Sequence, residues 1–248
     1  MTIQLDGLTV ATTMRTPGHD FELAVGFCHT EGLLRSGSGT ATPVTGVRYC
    51  ATGGAVETGF NIVTVETGGV AVDPTPRLGT TSSSCGWCGS DQLDDMTDRL
   101  SPFDQAAMLP LDVIRSVPGA VAADQGLFHR TGAVHAAAVF DEAGAVELVR
   151  EDVGRHNAVD KVVGALLLAG RLPATGLGLF VSGRASVEMV QKAWSAGLST
   201  VVAVSAPTAL AVSAARRANL TLVGFTRDDS CNVYAPERLP EGTISTAR

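Results

Sequence analysis

Two cysteines, Cys85 and Cys88, stand in "TTSSSCGWCGSDQ" (residues 80–92), a stretch too polar and too rich in Gly and Ser to belong to a core. In a Cys-x-x-Cys turn, one sulfur and the neighbouring N–H groups stabilise the other as thiolate. Three chemistries use such a pair. A structural zinc site needs four protein ligands and a catalytic one three. Here there is no second cysteine pair, and no histidine stands at a finger-like spacing. A thiol–disulfide exchanger places the pair where a strand meets a helix, whereas this pair reads as part of a long loop. The third chemistry is carriage, in which a thiolate accepts sulfur as a persulfide and swings it to an acceptor. The residues alone leave exchange and carriage open, with metal binding behind both.

The loop, read over 73–90, is entered through prolines and carries no hydrophobic period, which marks a functional or mobile segment. Before it, residues 1–75 alternate short apolar segments with Thr and Gly. Period-two patterning at Asn61–Glu66 predicts short strands in a small sheet. One helix is predicted over 20–33, with Asp20 as N-cap and Gly32 near its end, followed by a loop at 36–46. The second half is more regular. "GAVHAAAVFD" and "GAVELVRED" predict a hairpin turning at 141–144. "HNAVDKVVGALLLAG" carries a helical stripe, and "SVEMVQKAWSAG" a second one with Val187, Val190 and Trp194 on one face and Glu188–Lys192 as an i,i+4 pair. From 177 onward the order strand–helix–strand–helix–strand predicts a parallel sheet with crossover helices. The expected organisation is a small β-rich domain over 1–75, a mobile cysteine loop over 76–92, and an α/β domain over 93–248.

In open α/β sheets, ligands bind beyond the carboxyl ends of the strands. Three predicted strands end in Ser182-Gly183-Arg184, in "SAPT" with Ser205 and Thr208, and in "FTRDDS", Phe225 to Ser230. Their hydroxyls and turn N–H groups suit an anion, and Arg155, Arg184 and Arg227 could bring positive charge there. The plain alternative is that these residues only stop strands and cap helices. His135 invites comparison with zinc deaminases, which use H-x-E followed by P-C-x-x-C. Here the histidine is followed by Ala136-Ala137, and the cysteine pair precedes it. Deamination is therefore disfavoured, and His135 reads as a buried, hydrogen-bonded strand histidine. His156, in "REDVGRHNAVDK", reads either as a capping or ion-pair residue or as a ligand or proton shuttle.

The bounds agree with this picture. At 248 residues the chain has ample length for a core. A net charge of −7 argues against a general nucleic-acid surface. "VVGALLLAG" is too short to span a bilayer, and "MTIQLDGLTVATTMR" does not read as a secretory signal. Five cysteines, an odd number, suit a reducing compartment. Cys28, Cys50 and Cys231 lie alone in apolar segments and read as small buried hydrophobes.

Taken in order, "RTPGHDFELAVGF", "SSSCGWCG", "TGAVHAAAVFD", "REDVGRHNAVDKVVG", "SGRASVEMVQKA", "SAPTALAV" and "LTLVGFTRDDSCNVY" resemble the formate dehydrogenase accessory sulfurtransferase family, FdhD, from about residue 14 to 237. That resemblance implies a cytoplasmic, dimeric sulfurtransferase with a cytidine deaminase-like fold that lacks the deaminase zinc centre. It implies that sulfur comes from a cysteine desulfurase and passes to molybdenum bis(molybdopterin guanine dinucleotide), bound as cargo before insertion into formate dehydrogenase. Carried over by position, Cys85 is the persulfide carrier, Cys88 the second motif cysteine, and Phe225, Thr226, Arg227, Asp228, Asp229 and Ser230 the cofactor-binding stretch. Family members often have a basic residue or glycine where Asp228 and Asp229 stand. Beside phosphates two carboxylates would repel, so here they are expected to face either the guanine base, accepting from its N–H edge, or a solvent edge. Two other classes compete: a cofactor-binding chaperone without catalysis, and a dimer bridged by zinc through two cysteines of each subunit.

Overall fold

Each of the three central strands of the larger sheet is buried along its whole length: β7 (Gly178–Val181), β8 (Thr200–Ala203) and β9 (Thr221–Gly224). Strands covered on both faces read as continuous apolar runs rather than as alternation. In the computed structural model, which describes residues 1–35, 40–50, 54, 56, 58–71, 100–104 and 109–235, these three run parallel. The antiparallel hairpin of β5 (His135–Phe140) and β6 (Val146–Asp152) joins at β7, and β10 (Asn232–Val233) closes the far edge. The order is β10-β9-β8-β7-β5-β6.

Successive side chains of a strand point to opposite faces, and the two cores divide accordingly. Ala137, Val139, Leu179, Val181, Val201 and Leu222 meet helices α4 (Arg155–Leu168), α5 (Val187–Ser195) and α6 (Ala209–Ala218). Ala136, Ala138, Phe140, Phe180, Val202 and Val223 meet α2 (Leu111–Ala123), which contributes Ile114, Val117 and Val121. A short helix, α3 (Gly126–Thr131), links α2 to β5.

The smaller sheet has the order β2-β1-β4-β3, from β1 (Thr2–Leu5), β2 (Leu8–Thr12), β3 (Gly46–Tyr49) and β4 (Ile62–Glu66). The β1–β2 turn is Asp6-Gly7, both residues at positive φ, as a two-residue hairpin of this hand requires. Helix α1 (Asp20–Thr30) packs Ala24, Val25 and Cys28 onto Ile3, Val63 and Val65 of this sheet. Its other side lies on α4 at backbone distance. A Cβ added at Gly26 would stand 2.7 Å from the Asp160 carbonyl carbon, and one at Gly164 would stand 2.6 Å from that of Glu22. Two glycines facing each other thus let α1 serve both sheets, which is why it is apolar around most of its circumference.

The parallel sheet, the hairpin and the helices over 155–168, 187–195 and 209–218 appear where the sequence predicts them. Two expectations need correction. Asp20 is not the N-cap of α1: His19 holds that position, and the Asp20 carboxylate instead takes two hydrogen bonds from Arg15 and one from Tyr49 Oη. Lys192 does not pair with Glu188. It turns inward, 3 % exposed, to the Asp160 carboxylate at 2.8 Å, and also meets Thr30 Oγ1 and Glu31. The reason is that its face of α5 is covered by α1 and α4. Burial opposes the charge on Lys192, but the carboxylates of Asp160 and Glu31 outweigh it and hold the ammonium's pKa above the ordinary lysine value. Cys85, Cys88, the 76–92 loop and both expected domain boundaries lie outside the described residues.

Candidate functional site

The carboxyl ends of β7 and β8 open into a crevice of about 430 Å³, a volume within the range of small-molecule sites. Phe180, Ser182 and Val204 supply its sheet side, His135 stands at the start of β5, and Gln125 and Phe128 come from the α2–α3 region. Ser182 is held by its neighbours: its Oγ accepts from the Ala136 N–H at 2.9 Å and lies 3.3 Å from His135 Nδ1. Burial, and then Arg155, push the His135 pKa below the ordinary histidine value, so the ring is neutral at pH 7. The sequence expectation of a hydrogen-bonded strand histidine is met, except that this one is half-buried and lines the crevice.

Gly183 lets these groups converge. A Cβ there would fall 3.4 Å from both Arg155 Cδ and His135 Cε1. Arg184 is exposed and lies close enough to Arg155 to depress its pKa, after burial, which is the larger cause. Two guanidiniums at one strand end make a local positive region on an acidic protein, the arrangement that draws anions to a cleft.

The stretch 225–230 lies alongside. Phe225 is 44 % exposed at φ 52, and its N–H donates to the Ser205 carbonyl. Thr226 is fully buried with its N–H on Ala203 O, and its Oγ1 has no hydrogen-bond partner among the described residues. Arg227 Nη1 donates to Val204 O at 2.6 Å and Thr226 O at 2.8 Å, tying the stretch to the crevice wall. Asp228 and Asp229 are exposed: Asp228 lies beside Gly119 of α2, and Asp229 accepts from Ser230 Oγ. Thr208 has a plain structural task, since its Oγ1 accepts from Ala211 N–H as the N-cap of α6. The structure therefore gathers Ser182, Gly183, Arg184, Ser205 and 225–230 around one sheet end.

"REDVGRHNAVDK" turns out to be a clamp. Lys161 Nζ lies 2.8 Å from Asp152 Oδ2 and donates to the Thr16 and Glu151 carbonyls. Asp152 also accepts from the N–H groups of Thr16 and Gly154 and from Asn157 Nδ2, which reaches Met14 O as well. The motif thus grips residues 13–16 as they cross between the sheets. His156 makes no ion pair among the described residues. Burial, then Lys192 and Arg155, push its pKa from the ordinary 6.5 down to about 3. The folded protein keeps this ring neutral, whereas the unfolded chain takes up a proton near pH 6.5. Its contribution is complete above pH 6.5 and is lost as pH falls towards 3. Between pH 7 and pH 5 this linkage removes about 2 kcal/mol. Urea denaturation at the two pH values should show that loss, and His156→Gln should flatten it. An equally steep loss in the variant would assign it to other groups.

Sequence reading missed Gln125 and Phe128, because it left α2 and α3 unassigned. The available signal was Leu111, Ile114, Val117 and Val121 at helical spacing, interrupted in appearance by Pro118. Cys28, Cys50 and Cys231 are buried as expected, and burial drives the Cys28 thiol far above the ordinary range. Among the described residues, no group of three or more His, Cys, Asp or Glu could hold a metal, and no helix is long and apolar enough to cross a membrane.

Comparison with known proteins extends these observations. The model of the FdhD/NarQ family matches residues 1–240. The sulfur carrier protein FdhD of Streptomyces avermitilis is 47% identical over 244 residues, covering 95% of this chain and 84% of the relative. That of Mycolicibacterium paratuberculosis is 44% identical over 241 residues, covering 94% and 86%. A crystallised Desulfotalea psychrophila protein, provisionally assigned as a formate dehydrogenase accessory protein, shares the fold with TM-score 0.73 at 24% identity, over 96% of this chain and 88% of its own.

Proposed function

This chain belongs to the FdhD/NarQ family, and from that premise we propose that it is a sulfur carrier serving formate dehydrogenase maturation. It takes sulfur from a cysteine desulfurase as a persulfide on Cys85 and delivers it to molybdenum bis(molybdopterin guanine dinucleotide), which it holds as cargo. Membership over residues 1–240, among relatives named as sulfur carriers, carries the reading. The crevice supports it physically, since flat rings suit its largely apolar walls, and Arg155, which stands beside His135 and Gly183 rather than in the lining, offers positive charge nearby for the phosphates. Arg155 and Arg184 attract the phosphates, with Ser182, Gly183, Ser205 and the 225–230 stretch around them. In the same reading the protein is a cytoplasmic dimer, and its larger sheet is of the cytidine deaminase type turned to carriage, with Ala137 where a deaminase would have its proton-moving glutamate.

In the loading step, the Cys85 thiolate attacks the outer sulfur of the desulfurase persulfide. A new S–S bond forms on Cys85, and the old one breaks to leave the donor as thiolate. No external oxidant is needed, because the sulfur moves without a change in oxidation state. Mass spectrometry after incubation with a desulfurase and cysteine should find one added sulfur atom on the peptide containing residues 85 and 88. Cys85→Ala should abolish the gain, and Cys88→Ala should retain it. Persulfide persisting in Cys85→Ala would overturn the assignment of the carrier.

A further inference from the structure

Gln125 is 9 % exposed, yet its amide makes no hydrogen bond among the described residues. A nearly buried amide without a protein partner keeps only the contacts that the space in front of it admits, so a ligand that pairs with both its donor and its acceptor is favoured there. The Gln125 amide is not sealed in protein, and the residue lines the crevice, so the amide opens into that space. Of the other polar groups on the wall, Ser182 Oγ is engaged by the Ala136 N–H and by His135 Nδ1, while His135 Nε2 makes no hydrogen bond among the described residues and adds a second polar point beside the amide. The rest of the lining is largely apolar. Phe128 and Val153, 42 % and 52 % exposed, stand at the mouth, while Phe180, 2 % exposed, lies deep. An aromatic side chain at the entrance, apolar walls and one amide with an adjacent donor and acceptor describe a slot for a flat heteroaromatic ring.

We propose that the crevice takes a ring bearing a lactam edge, a ring N–H beside a carbonyl, and that Gln125 reads this edge. Gln125 Oε1 accepts from the ring N–H, and Nε2 donates to the ring carbonyl. Guanine and pterin share this edge, and the cargo proposed above contains both, so the inference rests on that reading and assigns a specificity-determining residue within it. The pairing satisfies the buried amide on both sides, which a purely apolar ring could not do.

Ring analogues isolate the contact. Binding to the full chain is measured by calorimetry with GDP and N1-methyl-GDP in one arm, and with pterin-6-carboxylate and its 3-methyl derivative in the other. Methylation removes the ring N–H and leaves the flat face. In at least one arm the unmethylated ring should bind about tenfold more tightly, the scale of one buried hydrogen bond left unmade; that arm identifies the ring seated here. In Gln125→Leu the preference should collapse to about equal binding. If the wild-type protein binds these rings without discriminating against methylation, or if Gln125→Leu keeps the discrimination, the role of Gln125 is overturned while the cargo reading stands. If the wild-type chain binds none of the four, both fall. The wild-type comparison needs no variant and holds even if Gln125→Leu fails to fold.

Discussion

Gly164→Ala should destabilise the protein by about 3 kcal/mol or more, at the upper end of what over-packing costs. The new Cβ would stand 2.6 Å from the carbonyl carbon of Glu22 and 2.9 Å from its Cα. These are backbone atoms of α1, so no rotamer change relieves the clash, and the helices must part. Parting them loosens the contact of Thr30 Oγ1 with Asp160 at 2.8 Å and opens the buried junction where Lys192 sits. At this chain length such a loss lowers the thermal midpoint by roughly 10 °C. Gly26→Ala should behave alike, because its Cβ would meet the Asp160 carbonyl carbon and Gly164 N at 2.7 and 2.8 Å. The double variant should lose clearly less than the sum, since helices already separated by one methyl accommodate the second. Gly126→Ala is the control: nothing lies within 4 Å of its Cβ position, and its effect should stay within about 0.5 kcal/mol. Thermal denaturation of the four variants decides the matter. A Gly164→Ala protein as stable as the control would mean that the α1–α4 contact is not tight in solution.

Lys161→Met should cost about 3–5 kcal/mol, the range expected when one partner of a buried ion pair is removed. Asp152 is fully buried and Lys161 1 % exposed, so water cannot replace the lost ammonium without opening the structure. The carboxylate would keep its bonds from Thr16 and Gly154 N–H and from Asn157, but its countercharge at 2.8 Å would be gone. The Thr16 carbonyl, an acceptor of Lys161 Nζ, would lose a partner at the same time. A local signature should therefore accompany the global loss: faster hydrogen exchange at the Thr16 and Val153 amides, which bond to Asp152 and to Thr16 Oγ1. Urea denaturation gives the first quantity, and exchange followed by mass spectrometry the second. A loss below about 1 kcal/mol, the scale of an exposed pair, would show that the site is wetter than its burial indicates.

These two sites also show where sequence reasoning stops. "REDVGRHNAVDK" is visible in the chain as a cluster of charge before a helix, and its resemblance to a family block is visible too. Its grip on residues 13–16 is not, because the partners are far apart in sequence. Lys192 makes the same point: helix spacing suggests Glu188 one turn away, whereas the fold supplies Asp160 from another helix. Asp20 looks like an N-cap by residue type, yet Arg15 and Tyr49 claim its carboxylate. In each case a local rule proposed a neighbour, and a buried interface offered a stronger one.

What the sequence determined by itself is the succession of strands and helices after residue 134 and the family to which the chain belongs. Those features follow from repeats of two and of 3.6 residues and from short local motifs, which any stretch of chain displays before it folds. The tertiary structure alone decided that Gln125, His135 and Ser182 share one cavity, that Gly26 and Gly164 face each other, and that Lys161 finds Asp152. Cavities, clashes and buried ion pairs belong to residues brought together across the chain, and their energies exist only once packing has removed the water between them.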